Sequence, residues 1–263
     1  MFFKFIAFFT FIYLFLTATL FLFQKSILYF PAYDLPTEQL LQSENLQYWK
    51  PQDGCYYGFI SQPQKALGTI ILFHGNAGTA HNRNYYSRAL THKGYRVLLA
   101  EYPGYGNRKG KPSEKTFVTD ARKIVNLVHE HYDEPIYLWG ESLGSGVVAA
   151  TVADSSLPVA GIVLITPWDS LANLAQSIYW YFPVRWLLLD KYNSIKNLQS
   201  YQGKVAVLVA QKDEVIPFEF GLNLYKSIET EKKLWAFENA GHNNFPVKPD
   251  ASWWNEVLEF ISK

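Results

Sequence analysis

The chain has 263 residues, 49% hydrophobic and 18% charged, with 24 Lys and Arg against 23 Asp and Glu. That length suits one sizeable α/β core, and a formal net charge of +1 excludes the basic surface that a nucleic acid partner requires. The single cysteine, Cys55, excludes an internal disulfide and a cysteine-based zinc cage, and it leaves the compartment open.

Residues 1–25 read as an N-terminal transmembrane anchor and residues 26–44 as a juxtamembrane connector. Phe5 to Phe23 carries no charge, and as a helix it would span roughly 28 Å, close to the ~30 Å hydrocarbon core of a bilayer. A signal peptide usually has an apolar region of about 7–15 residues that ends in a small-residue site. Thr17-Ala18-Thr19 is the candidate site, yet Leu20-Phe21-Leu22-Phe23 continues the apolar run beyond it. The spacing therefore favours an uncleaved, single-pass anchor. Lys4 and the α-amino group slightly outweigh Lys25, a balance that leans toward an extracytoplasmic domain and leaves the side open.

Residues 45–263 carry the pattern of an α/β domain. Leu46 to Trp49 and Tyr56 to Ser61, separated by Pro51-Gln52-Asp53-Gly54, predict a hairpin. Gly68 to Phe73 is a buried strand, Asn84 to Lys93 a helix closed by Gly94, and Tyr95 to Ala100 the next strand. Ser113 caps a helix that carries Phe117, Ala121, Ile124, Val125 and Val128 on one face. Further strands are expected at Ile136, at Val159 to Ile165, at Val205 to Ala210 and at Lys233 to Phe237. Helices are expected to about Ala153, at Phe218 to Ile228 and at Ala251 to Ile261. Such alternation predicts a mostly parallel sheet covered by helices on both faces. Residues 168–202 interrupt the rhythm with Tyr179, Trp180, Tyr181, Phe182 and Trp186. They predict either a small helical cap over the carboxyl edge of the sheet or a packed surface helix pair.

Chemistry concentrates at Gly140-Glu141-Ser142-Leu143-Gly144, between a strand and a helix. A serine on so sharp a turn has its hydroxyl pushed out of the sheet, and the flanking glycines allow close backbone approach. Ser142 needs a base. Of six histidines, His242 follows the last strand, where the chain order serine, acid, histidine places the base. Asp213, after the penultimate strand, is the expected carboxylate, with Asp169 as the alternative. Glu141 reads as a local charge or hydrogen-bond partner. Oxyanion donors are expected from the N–H of Leu143 and from the loop His74-Gly75-Asn76-Ala77-Gly78, at Asn76. Gly104-Tyr105-Gly106 places its third glycine one residue late for a dinucleotide loop, and no metal or phosphate motif appears, so no cofactor and no metal are expected.

These motifs, with Pro112-Ser113-Glu114 and Gln24-Lys25-Ser26-Ile27-Leu28-Tyr29-Phe30-Pro31, together resemble the α/β-hydrolase superfamily. The nearest likeness is the Bem46-like group, with its membrane-anchored ABHD13 and ABHD17 types. The resemblance implies an α/β-hydrolase fold with an eight-stranded, mostly parallel sheet and a Ser–Asp–His triad. It also implies a serine hydrolase acting on esters or thioesters through an acyl-enzyme, less often on peptides. Arg108 stands where relatives often carry serine, which bears on loop contacts only. The expected partners are a small-molecule or lipid acyl substrate and, through the anchor, a membrane. The alternatives are a serine aminopeptidase-like peptidase and a catalytically silent binding protein on the same fold.

Overall fold

The computed structural model describes residues 1–51, 54–153 and 156–263. The main sheet contains β1 (Gln47–Trp49), β2 (Gly58–Ser61), β3 (Gly68–Phe73), β4 (Tyr95–Ala100), β5 (Ile136–Glu141), β6 (Val159–Ile165), β7 (Lys204–Ala210) and β8 (Lys232–Phe237). Its eight strands run in the spatial order 8-7-6-5-3-4-2-1. β3 to β8 pair in parallel, while β1–β2 and β2–β4 are antiparallel. The expected hairpin is present as β1 and β2; two residues of its turn, Gln52 and Asp53, lie outside the described residues.

Alternation along the strands builds two cores. Ile71, Phe73, Leu138, Leu164 and Val207 point to the face covered by α4 (Glu114–His131) and α5 (Leu143–Thr151). Ile70, Leu72, Trp139, Val163 and Leu208 point to the face covered by α3 (Asn84–Thr91) and α10 (Trp253–Ser262). Both faces of the central strands are fully buried, as a parallel sheet requires. Truncating one of these leucines to alanine would cost about 2–5 kcal/mol. α4 begins at the predicted cap, where the Ser113 hydroxyl accepts from the Thr116 N–H at 3.1 Å.

α1 (Phe2–Leu28) is continuous, so Ser26, Ile27 and Leu28 of the expected connector belong to the helix. Among the described residues it is the one helix long and apolar enough to cross a membrane, with a mean hydropathy of 2.3. The rest of the connector is not loose. Phe30–Pro31 pairs in parallel with Ala77–Gly78, and Tyr29 is buried against Phe117 with its hydroxyl 2.9 Å from the Asp190 carboxylate. α2 (Glu38–Ser43) then leads into β1.

The segment after β6 folds as a small cap of α6 (Leu171–Ile178), α7 (Val184–Leu187) and α8 (Ser194–Leu198). α9 (Phe218–Ser227) follows β7 and packs on it. The register aligns the carboxyl ends of the strands, pairing Phe73 with Gly140, Glu141 with Ile165 and Ala210 with Phe237. One edge of the sheet therefore collects every loop that carries a candidate site residue.

Candidate active site

Ser142 sits at the turn between β5 and α5 with φ 53° and ψ −115°, a conformation that non-glycine residues rarely adopt. Two surroundings hold it there. The Ser142 N–H donates to the Ile165 carbonyl at 2.9 Å, and the Ser142 carbonyl accepts from the Ser145 N–H and hydroxyl. The glycines make the turn possible by close approach. A Cβ on Gly140 would strike the Gly144 carbonyl, and one on Gly144 would strike the Phe73 carbonyl oxygen, all of it backbone that cannot swing aside.

Asp213 and His242 follow adjacent parallel strands, β7 and β8, and their loops are tied together. The Lys212 N–H donates to the Ala240 carbonyl at 2.9 Å, and the His242 N–H to Glu214 Oε2 at 3.0 Å. His242 Nε2 then lies 3.0 Å from Ser142 Oγ, and His242 Nδ1 lies 2.8 Å from Asp213 Oδ2. The other oxygen of Asp213 accepts the N–H groups of Val215 and Ile216 at 2.9 and 2.7 Å. That carboxylate is 2% exposed, so its orientation is fixed by protein and not by water. Asp169, the alternative acid, is turned into the cap, where its carboxylate accepts from the Ser170 N–H. Glu214 accepts main-chain and side-chain N–H groups from His242 and Asn243, and these donors, its own N–H first among them, hold its carboxyl below the usual range.

Asn76 and Leu143 border the same cavity as Ser142. The Asn76 side chain donates to the Leu28 carbonyl at 2.9 Å, and its carbonyl accepts from the Phe30 N–H and the Tyr105 hydroxyl. Its own N–H, like that of Leu143 at the first position of α5, has no hydrogen-bond partner among the described residues. Two main-chain donors are thus left at the serine, one of them at the positive end of a helix.

Several further groups fix this edge, and His74, Glu101, Arg83, Tyr85 and Tyr86 among them had no assigned role in the sequence. His74 and Glu101 form a buried pair at 3.1 Å; Glu101 also accepts from the Ala80 N–H, and the Tyr102 hydroxyl holds the His74 carbonyl at 2.7 Å. Arg83 places Nε and Nη2 on Glu141 Oε1 at 2.9 and 2.8 Å, while the Tyr85 and Tyr86 hydroxyls donate to Oε2. Burial pushes the Glu141 carboxyl up, but the Arg83 charge and these donors outweigh it and hold it below the usual range. Glu141 is thus the local charge partner that its place in the motif implied. Arg108, in the glycine loop, pairs with Asp120 and caps the Glu101 carbonyl. Acid–base pairs more than ten residues apart leave no local pattern, so only the fold reveals them.

Two cavities flank the histidine and serine. One, of about 240 Å³, is lined by Ser142, Asn76, Leu143, apolar cap residues such as Leu174 and Val184, and Leu20, Gln24, Ile27 and Leu28 of α1. The cap therefore touches the site, whereas Trp180 and Trp186, 63% and 81% exposed, do not roof the serine. The other, of about 260 Å³, is polar and includes Arg83, Tyr85, Glu141, His242 and Asn243. Among the described residues no three His, Cys, Asp or Glu side chains are grouped to hold a metal ion.

Comparison with known proteins agrees with this architecture. A family model described as alpha/beta hydrolase fold matches residues 68–191. An uncharacterized protein of Mycobacterium tuberculosis is 31% identical over 229 residues, which cover 84% of this chain and 81% of that protein. The chain belongs to the α/β-hydrolase superfamily. As a member it is a hydrolase, and its further relatives include lysophosphatidylserine lipase ABHD12 of Gallus gallus, 32% identical over 195 residues. That match covers 65% of this hydrolase and 51% of the lipase, so the chain spans about half the length of the ABHD12 relatives. The fold is shared with an esterase of Pyrococcus furiosus (TM-score 0.69, 18% identity, 89% of this chain and 96% of that one). It is shared too with Est1E of Butyrivibrio proteoclasticus (TM-score 0.64, 17% identity, 82% and 100%). These relatives establish the superfamily and do not reach the finer Bem46-like grouping.

Proposed function

We propose that the protein is a membrane-anchored serine hydrolase that cleaves carboxylic esters or thioesters of apolar acyl groups. Ser142 is the nucleophile, His242 the base, Asp213 the orienting carboxylate, and the N–H groups of Asn76 and Leu143 the oxyanion donors. The observation that carries the reading is the unbroken series from Asp213 through His242 to Ser142, opening onto an apolar cavity.

His242 Nε2 takes the hydroxyl proton as Ser142 Oγ bonds to the acyl carbon. The carbonyl π electrons move to oxygen, and the two unpartnered N–H groups receive that charge; one such donor is worth about 10²–10³ in turnover. Collapse expels the alcohol or thiol, which leaves with the proton from His242. Water then adds to the acyl-enzyme with His242 as base, releasing the acid and restoring Ser142. Asp213 keeps Nδ1 protonated throughout, so Nε2 faces the serine as an acceptor.

Relatives named as a lipase and an esterase support ester substrates. A peptidase reading would call for an acidic group to hold a substrate ammonium, and among the described residues no Asp or Glu borders the apolar cavity. Labelling with a fluorophosphonate tests the nucleophile, and absence of labelling in folded protein would favour the silent-binding alternative. Ser142→Ala should lower p-nitrophenyl ester turnover by about 10⁴–10⁶; near-wild-type rates in that variant would reject Ser142.

The same reading makes α1 a single-pass anchor, followed by the connector to residue 44 and the hydrolase domain with its cap at 168–202. The charge balance around α1, Lys4 and the α-amino group against Lys25, favours an extracytoplasmic domain. Cys55 is exposed and is the chain's single cysteine. A membrane-impermeant maleimide should label it in intact cells; labelling only after permeabilisation would reverse the orientation.

A further inference from the structure

α1 does more than trail from the domain. Ile12, Thr17, Thr19, Leu20, Gln24 and Leu28 are the part-buried positions of an otherwise exposed helix, and Thr17, Leu20, Gln24 and Leu28 among them are spaced as one helical face. That face lies on the cap. The Gln24 amide oxygen accepts the Leu189 N–H at 2.8 Å, the Tyr13 hydroxyl donates to the Tyr181 carbonyl at 3.1 Å, and the Tyr13 and Phe182 rings stack at 5.5 Å. At its lower end the Leu28 carbonyl is held by the Asn76 side chain, beside the proposed oxyanion donor.

The cavity at Ser142 continues along this seam. A second apolar cavity, bordered by Thr17, Phe21, Phe182 and Leu187, shares Leu20, Gln24, Val184 and Leu188 with the first. From Leu28 to Thr17 the seam follows α1 for roughly 16 Å, and the cap stays against the helix up to Tyr13, roughly 22 Å from Leu28. If α1 spans a bilayer through Phe5 to Phe23, the contacts from Tyr13 to Phe21 lie within the ~30 Å hydrocarbon layer and those at Gln24 and Leu28 at its edge. The outer cap surface there suits lipid, with Trp180, Tyr181 and Trp186 all more than half exposed.

Resting on the ester-hydrolase reading above, we propose that α1 is one wall of the acyl site. A long acyl chain bound at Ser142 runs along the seam between α1 and the cap, which opens sideways into the leaflet holding both. Leu20 and Ile27 on the helix and Val184 and Leu188 on the cap then set the preference for chain length, and the substrate is a long-chain lipid ester drawn from the membrane.

The test uses the full chain in detergent micelles, with p-nitrophenyl palmitate and p-nitrophenyl butyrate as paired substrates and fluorophosphonate labelling of Ser142 as the check on folding. Leu20→Trp should lower the palmitate-to-butyrate ratio of kcat/KM at least tenfold. Leu188→Trp, filling the seam from the cap side, should do the same and serves if the first variant does not fold. Leu22→Trp, on the exposed face of α1, should leave the ratio at the wild-type value. An unchanged ratio in labelled seam variants, or an equal fall of the ratio in Leu22→Trp, would overturn the acyl wall while leaving the triad intact. Wild-type protein that labels yet hydrolyses neither ester would instead overturn the ester reading, and the acyl wall with it.

Discussion

The two sides of Ser142 are built on opposite principles. On one side, Arg83, Tyr85, Tyr86 and Glu141 form a network in which both carboxylate oxygens of Glu141 are doubly satisfied, next to the buried His74–Glu101 pair. On the other, the cavity is walled by leucine, valine and isoleucine from the cap and from α1, with a few hydrogen bonds as clasps. Hydrogen-bonded charges in a low-dielectric setting have one good geometry, so the polar side fixes Ser142 and the loop that carries Asn76. Apolar contact is tolerant of shape, and suits a wall that accommodates a variable chain. In the proposed reading the difference separates positioning from selection: one side aims the chemistry, the other admits the substrate.

The largest effect is expected where the polar order reaches the reacting atoms. In Asp213→Asn, the side-chain oxygen remains the natural partner of the Val215 and Ile216 N–H groups, which leaves the NH₂ facing His242 Nδ1. Nδ1 must then accept, and the proton moves to Nε2, where it blocks transfer from Ser142. Turnover should fall by about 10⁴ with thermal stability nearly unchanged. A loss of less than tenfold in ester kinetics would show that the carboxylate does not govern the tautomer.

A second test breaks the polar side without touching the reacting atoms. Glu141→Gln removes the charge that pairs with Arg83 and should lower stability by about 2 kcal/mol, below the full figure for a buried pair because both side chains keep some exposure. Because the folded-state Glu141 carboxyl is depressed, its contribution is complete above the ordinary carboxylate range near 4.3 and is lost as pH falls below it through the folded value. Wild-type stability, followed by urea denaturation, should therefore fall more steeply with acid than that of Glu141→Gln. Parallel acid limbs would show that the network is not the source of the order on this side.

Legibility in the sequence divides along the same line. Strand and helix positions followed from periodicity because the parallel sheet buries both faces, and the strands matched within a residue or two. The meeting of Ser142, Asp213 and His242 at one sheet edge was readable since each follows a strand in an order the fold dictates. Arg83 was not, because a guanidinium 58 positions from its carboxylate carries no local signal. α1 was legible as an apolar helix but not as a wall of the cavity. Its part-buried face is hidden in a run apolar on every side, where lipid and cap place similar demands on side chains. The cap, expected from its aromatics, came out differently in detail: Trp180 and Trp186 face outward, and leucine and valine do the lining.

The smallest effect probes the outer surface of the apolar side. Trp186 is 81% exposed and borders neither cavity at the serine. Trp186→Ser therefore removes little packing, and stability in micelles should shift by no more than about 0.5 kcal/mol. Turnover of p-nitrophenyl butyrate should stay within twofold, since nothing that aims Ser142 is altered. Attachment of the cap to lipid should weaken, because an indole at a membrane surface contributes apolar area that a hydroxymethyl group does not. Tryptophan emission supplies the readout. Wild-type protein in liposomes containing brominated lipids should be quenched more strongly than Trp186→Ser, and equal quenching would place this face of the cap in water, leaving α1 alone in the bilayer.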